Sequence, residues 1–409
     1  MKPVERWSSR SRPSWKPPTD GRSPSSPWKR EGAIELLIVA GEASGDALGG
    51  RLAEALMRRR PGLRLSGIGG PAMRAAGVQT WFDVADLEVV GVLEVVRRLP
   101  VLRRAKGRIL QEVGARGAEA AVLIDFPGFN LHLAKRLHAR GLKVIYFVAP
   151  QLWAWGRWRA RAMARSVDKL LVILPFEVGF FRDLGIETEF VGNPLIDSWE
   201  MEPVEAARER LGLAESRPVI GVLPGSRERE VAAILPPMLE AVRILRAAYP
   251  QARFLLPVAE TLPWEGIARR AQEAGVRPVR GARDVLRASD AAMVASGTAT
   301  LEAGILGTPS VLAYHLHPIT FSVVRWMANL PTERFYFGLV NILAGEALFP
   351  ELLQEELRPE NLALEAKRLL EDKERTAYVK RRLRDIRRSL GAGGCFERAT
   401  EAIVESLEA

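Results

Sequence analysis

Two parallel-sheet α/β domains in tandem, facing one another across a cleft, are the fold the sequence predicts. Three observations carry this. At 409 residues the chain exceeds what one hydrophobic core usually serves, so two domains of roughly 150–200 residues each are expected. From Ile34 onward, short β-branched runs alternate with longer segments of helical period, the pattern of βαβ units and a parallel sheet. The pattern pauses at the charged stretch around Glu200–Glu205 and restarts at Pro218.

The chain opens with residues 1–32, which carry eight Lys/Arg against Glu5, Asp20 and Glu31, a net of +5 out of a formal +10. Rich in Pro and Ser and without apolar periodicity, this segment cannot form a core and reads as a disordered basic extension. It lacks the apolar stretch of a secretory signal. Trp7, Trp15 and Trp28 among its basic residues suit contact with anionic lipid, but a dispensable or mis-started N-terminus is the better account, and the segment is given no catalytic role.

Candidate strands follow at Ile34–Ala40, Leu63–Ile68, Ala121–Ile124, Lys143–Val148, Lys169–Ile173 and Thr188–Val191, then at Pro218–Leu223, Arg253–Pro257, Ala291–Ala295 and Ser310–Tyr314. They divide the chain into a first domain over 33–203, a second over 204–385, and a terminal helical segment over 386–409. Lys367–Leu390 reads as one helix, and after Gly391–Gly394 a short final helix runs to Ala409. By analogy with two-domain transferases, such terminal helices pack back on the first domain.

Composition excludes several classes. No window approaches the ~18 uninterrupted apolar residues of a membrane span, so any contact with a membrane is peripheral. Cys395 is the sole cysteine, which rules out an intramolecular disulfide and a thiolate metal cluster and fits a reducing compartment.

In open parallel sheets ligands sit outside the carboxyl ends of the strands, so the residues after each strand are the informative ones. LPGSRERE places Gly225, Ser226 and Arg227 between a strand and a helix beginning near Glu228. Close backbone approach, free helix N–H groups and a guanidinium fork together outline a diphosphate site, and an ordinary turn capped by Ser226 is the plain alternative. ASGTATLEAG makes a second such turn, with Ser296 and Thr298 at a helix start and Glu302 one turn inside. A carboxylate there accepts from both ribose hydroxyls, or serves only the helix dipole. The two turns together favour a nucleotide in the second domain.

The first domain opens with GEASGD, a glycine-rich turn carrying Glu42, Ser44 and Asp46. It is neither GxGxxG nor a phosphate-binding kinase loop, which weakens dinucleotide and ATP readings, and Asp46 also reads as a helix N-cap. AVLIDFPGFN puts Asp125 at the end of an apolar strand, ahead of a Pro-Gly turn. A carboxylate so placed serves as general base on a sugar hydroxyl, catalysis worth ~10²–10⁴-fold, or caps the helix carrying Asn130. No Asp-x-Asp pair is present, His132 and His138 do not share a helix face, and His315 and His317 lack a third ligand, so no metal and no cofactor is expected.

GEASGD, IDFPGFN, VAPQLWAW, LPFE, VGNPL, LPGSR, SGTATLE and LVNILAG, in this order from Ile34 to the C-terminus, resemble the lipid-A-disaccharide synthases. Only residues 1–32 lie outside the match. The resemblance implies a metal-independent, inverting glycosyltransferase of the GT-B type from a Gram-negative cell. Such an enzyme joins UDP-2,3-diacylglucosamine to 2,3-diacylglucosamine 1-phosphate through a β-1,6 bond and releases UDP. It implies Asp125 as base and Arg227, Ser226, Glu302, Asn341, Ser44 and Gln354 as substrate contacts. It also implies a cytoplasmic protein on the inner face of the inner membrane, with a homodimer plausible. The chain departs from the family at Gly128, often acidic there, and at Asn193, often histidine.

A lipid product agrees with Leu87–Arg104, where Val92, Leu93 and Val96 stand beside Arg97, Arg98, Arg103 and Arg104, the makeup of a helix lying in a headgroup layer. A core-facing amphipathic helix is the competing reading. The aromatic-basic run Trp153, Trp155, Arg157, Trp158, Arg159 and Arg161 would also suit nucleic acid, but lipid explains more of the chain. Two rival functions share the fold: a UDP-N-acetylglucosamine epimerase, and a nucleotide-regulated peripheral membrane-binding protein without turnover. Segment 87–104 argues against the first, and Asp125, Arg227 and Glu302 against the second.

Overall fold

A computed structural model describes residues 34–408 apart from 88–91, 156, 199–200, 214–216 and 316–335. The basic extension over 1–32 and His317 therefore lie outside the described residues. So do the side chains of Val92, Leu93, Val96, Arg97, Arg98, Trp155 and Arg157, of which only the backbone helices are described.

Two parallel sheets form, as the alternation of runs predicts. The first takes the order β3-β2-β1-β4-β5-β6-β7 and the second β10-β9-β8-β11-β12-β13. In the first, β1 is Ile34–Ala40, β2 Leu63–Gly69, β3 Gln79–Asp83, β4 Ala120–Ile124, β5 Lys143–Phe147, β6 Lys169–Val172 and β7 Glu187–Phe190. In the second, β8 is Val219–Leu223, β9 Arg253–Pro257, β10 Arg277–Val279, β11 Ala291–Ala295, β12 Ser310–Tyr314 and β13 Glu351–Leu353. Three strands escape the sequence reading, β3, β10 and β13, and each is an edge strand. An edge strand has one partner and less two-sided burial, so its apolar run is short or absent.

The central strands β4, β8 and β11 are apolar throughout because both faces are covered. Along β1, Leu36, Ile38 and Ala40 meet the helices Ala43–Arg59 and Cys395–Glu408, while Leu37 and Val39 meet the helices Val92–Arg116 and Pro127–His138 on the other side. The second sheet repeats this arrangement. Ile220, Val222 and Met293 face the helices Glu228–Ala248 and Pro359–Glu371, and Val219, Val294 and Leu312 face Thr298–Leu306 and Lys373–Ser389.

Lys367–Leu390 is not one helix. Asp372 divides it, its carboxylate accepting from the Arg375 N–H at 2.9 Å, so one helix ends at Glu371 and the next starts at Lys373. A capping Asp outweighs the continuous polar period on which the single-helix reading rests. The chain then crosses between domains through Gly391, Gly393 and Gly394, all with positive φ, a conformation glycine adopts without a Cβ clash. The final helix, Cys395–Glu408, lies on the first sheet. Its Phe396 stacks edge-on against Phe147 and sits 4.3 Å beneath the Arg51 guanidinium.

Candidate active site

The β4 end is built tightly. Asn130 donates its Nδ2 hydrogens to the Ile124 and Asp125 carbonyls at 3.1 and 2.9 Å, and Tyr146 Oη donates to the Asp125 carbonyl at 2.5 Å. These bonds fix Asp125 and Phe126 at φ of 44° and 47°, left-handed values that cost energy for residues with a Cβ. The helix begins only at Pro127 with Phe126 as its N-cap, so Asp125 is no cap. Its carboxyl is pushed up to about 6, first by burial and then by the neighbouring Glu42 carboxylate, against the pull of the Phe126 N–H. Such a group is ionised at neutral pH and still basic enough to take a proton.

In the GEASGD turn, Asp46 is spoken for. It is 4% exposed, and its carboxylate accepts from the N–H groups of Gly70, Ala72 and Met73 at 2.6, 2.9 and 3.1 Å. It thus caps the helix Pro71–Ala75 rather than its own. Ser44 is exposed in the first turn of the Ala43–Arg59 helix and borders the cleft.

In the second domain, Gly225 adopts a φ of 112°, and a Cβ there would meet the Glu230 carboxylate at 2.8 Å. Arg227, not Ser226, is the helix N-cap residue. The Arg227 side chain is 74% exposed and pairs with Glu230 at 3.2 Å, a surface contact weak enough to yield to an anionic ligand. Burial raises the Glu302 carboxyl above its ordinary range.

Asn341 stands differently from its expected role. It is fully buried, its Nδ2 donating to the Phe349 carbonyl and to Glu351 Oε1, its Oδ1 accepting from the Phe349 N–H, each at 2.8 Å. Its amide is committed within the protein, which makes it a clamp for the loop it closes. Glu351 completes that clamp by accepting from the Gly338 N–H at 2.9 Å. Gln354 heads the short 3-10 turn Gln354–Glu356 at a φ of 46°.

Between the sheets lies a cavity of about 600 Å³, within the usual range for a small-ligand site. Ser44, Val148, Trp153 and Glu177 wall it from the first domain, and Ser296, Thr298, Tyr314 and Phe337 from the second. Asp125, Ser226, Arg227, Glu302, Asn341 and Gln354 do not line it. The sequence reading finds the strand ends and names Trp153 only within the aromatic-basic run, yet passes over Glu177 and Tyr314. The signal available for Glu177 is its place in LPFE, just beyond β6. Val148, after β5, holds a φ of 66°, costly for a β-branched residue and placed on the cavity wall.

Among the described residues, no three His, Cys, Asp or Glu side chains gather as a metal site, and no helix is long and apolar enough to cross a membrane. His315 is exposed, and His132 Nδ1 lies 3.0 Å from the Gly128 carbonyl within its own helix.

Two parallel sheets whose strand ends meet at one cleft define a protein of the GT-B class. The fold is shared with a ugt transferase from Siraitia grosvenorii in complex with UDP, at a TM-score of 0.59 and 13% identity over 92% of this chain and 100% of that one. It is shared too with a UDP-GlcNAc 2-epimerase from Neisseria meningitidis bound to UDP-GlcNAc, at 0.54 and 12% over 91% and 99%. Sequence carries the assignment further. The family described as Lipid-A-disaccharide synthetase matches residues 36–404, and a lipid-A-disaccharide synthase of Anaeromyxobacter dehalogenans is 43% identical over 90% of this chain and 97% of its own length. The chain belongs to the lipid-A-disaccharide synthetase family.

Proposed function

We propose that this protein transfers 2,3-diacylglucosamine from its UDP donor to 2,3-diacylglucosamine 1-phosphate, with inversion, giving the β-1,6-linked disaccharide 1-phosphate and UDP. The observation that carries the mechanism is Asp125, a carboxyl at the end of β4 with its affinity for protons raised to about 6. Asp125 removes the proton of the acceptor hydroxyl as that oxygen attacks the anomeric carbon, while the bond to the UDP oxygen breaks on the opposite face. The proton passes to Asp125 and the electron pair leaves with UDP. Ser226, Arg227 and the helix start at Glu228 neutralise the departing diphosphate, as guanidinium and free N–H groups do for phosphate elsewhere. Glu302 accepts from the ribose hydroxyls, Ser44 contacts substrate from the first domain, and Asn341 and Gln354 shape the nucleotide side of the cleft.

The chemistry needs no metal in this reading, because the cationic groups already compensate the leaving charge. The acyl chains place the reaction at the inner face of the inner membrane, with the helix beginning at Val92 in contact with lipid. A single assay tests the reading: both acylated sugars in detergent micelles with EDTA present, the disaccharide product and UDP being measured. Transfer in EDTA is expected. Loss of activity restored by magnesium would remove the metal-free mechanism, and conversion of UDP-N-acetylglucosamine to its 2-epimer would favour the epimerase instead.

A further inference from the structure

Glu177 is a buried acid that the mechanism leaves unused. It is 1% exposed, lies on the cavity wall, and its Oε1 accepts from the Trp153 indole Nε1–H at 3.1 Å. Its Oε2 has no hydrogen-bond partner, and an orphaned buried oxygen costs free energy unless something else satisfies it. Trp153, which holds the other oxygen, is itself pinned edge-on against Phe176 with ring centres 5.1 Å apart. The carboxyl is therefore held in place on the cavity wall, with Oε2 the oxygen left for a ligand to satisfy.

We propose that Glu177 is a substrate-binding residue whose Oε2 hydrogen-bonds an uncharged oxygen, an acyl carbonyl or a hydroxyl, of the acylated sugar in the cavity. Three observations select that chemistry. Glu177 is the only residue of charged type among the described residues that line the cavity, so nothing there compensates a phosphate. Most of the other walls are apolar, among them Leu48, Val148, Leu174, Leu195 and Leu301, which suits an acyl-bearing ligand. With Oε1 accepting from the indole, the proton of the neutral acid sits on Oε2, the oxygen free to donate.

Burial pushes the Glu177 carboxyl up to about 8, against the Trp153 and Leu174 N–H groups that favour its ionised form. It is thus a donor at neutral pH. Among the described residues, the titratable side chains that share the cavity with it are the phenols of Tyr314 and Tyr336, and burial holds Tyr314 above the ordinary phenol range. Counted across the sheet, β6 lies two strands from β4, on the order of 10 Å at the usual spacing. Glu177 therefore reads a part of the substrate remote from the hydroxyl that Asp125 deprotonates.

The inference rests on the transferase reading, and the experiment separates the two. KM is measured for donor and acceptor separately, each with the other saturating, from pH 6.5 to 9, for the wild-type protein, Glu177→Met and Glu177→Gln. UDP binding is followed alone by calorimetry. Glu177→Met, of similar length and with no donor, is expected to raise KM for one acylated substrate about tenfold, the size of one lost hydrogen bond, with UDP affinity unchanged. Whichever substrate responds is the one Glu177 contacts. Glu177→Gln, which keeps a neutral donor, is expected to restore most of that loss and to flatten the rise in KM that the wild-type protein shows through pH 8. Wild-type KM for both substrates in Glu177→Met overturns the inference, whatever happens to kcat. If that variant does not fold, an undiminished pH dependence in Glu177→Gln overturns it instead. Wild-type protein that transfers nothing defeats the transferase reading and the inference with it.

Discussion

Asp125 follows β4 directly, and its environment suits the general base proposed for it. Burial and the Glu42 carboxylate raise its proton affinity, to about 6, so activity is expected to fall as pH drops through 6 and Asp125 becomes protonated. Asp125→Asn keeps the side-chain volume and removes the proton acceptor. Turnover is expected to drop by ~10²–10⁴-fold, with the acidic limb of the pH profile abolished and UDP binding intact; near-wild-type turnover would take Asp125 out of the mechanism. The proposed nucleotide contacts are tested without lipid. Arg227→Ala and Glu302→Ala are each expected to weaken UDP binding by roughly 1.5–3 kcal/mol, the worth of a hydrogen bond to a charged group, and unchanged affinity in both would move the nucleotide elsewhere. Asp125, Ser226 and Arg227 stand out in the sequence as candidates because they come just after the apolar strands β4 and β8, and strand ends are where open sheets bind ligands; Glu302 lies further on, inside the helix Thr298–Leu306. Glu177 and Tyr314 are harder to read. Their environment is made by the approach of two domains, and no local pattern encodes that approach. Asn341 shows the converse: a motif marks the position, and the partners Phe349 and Glu351, which fix what its amide does, come eight to ten residues later.

At the level of elements, period and burial explain both what the sequence reveals and what it hides. The inner strands β4, β8 and β11 are apolar on both faces, and β1 and β5 nearly so beyond Glu35 and Lys143, so they stand out as runs, whereas β10 and β13 are three residues each and β3 is only partly buried. The helix Val92–Arg116 is read in two parts along its length. Ala105, Ile109 and Val113 are buried against the first sheet, so Ile109→Ala is expected to cost about 2–5 kcal/mol in urea unfolding. Its first turns carry the apolar and basic residues read as a lipid-facing surface. If that holds, Val92→Ser, Leu93→Ser and Val96→Ser should change stability by only about 0.5 kcal/mol each while reducing vesicle binding. Reversal of Arg97 and Arg98 to Glu should weaken binding to anionic vesicles alone, with an effect that fades as salt shortens the Debye length below ~8 Å. A large fall in melting temperature with unchanged vesicle binding would return these turns to the core.

For the whole molecule, buried acids with raised proton affinity make stability depend on pH in a definite direction. Asp125, Glu177 and Glu302 are all raised, chiefly by burial. A raised acid binds its proton more tightly folded than unfolded, so its contribution is fully present below its unfolded value and is lost as pH rises through its folded one. For Glu177 that window runs from the ordinary 4.5 to about 8, with a slope of roughly 1 kcal/mol per pH unit. The opposing groups act elsewhere. Asp83 is held low by the Ala85 N–H and Arg74, Glu112 by Arg116, Glu202 by Arg210 and Glu346 by Arg382. All four titrate below the ordinary carboxylate range, and their exposed pairs contribute little. Above pH 6 the buried acids therefore govern the difference between proteins that share every other charge. Urea unfolding of wild-type protein and Glu177→Gln at pH 6, 7 and 8 isolates the largest of them, since the net positive charge common to both cancels. The variant is expected to gain on the wild type with each step in pH, and to be the more stable protein at pH 8, because it removes the acid whose ionisation burial opposes. Parallel stability curves across that range would mean that Glu177 ionises as readily in the folded chain as in the unfolded one, and that the cavity wall around it is open to water.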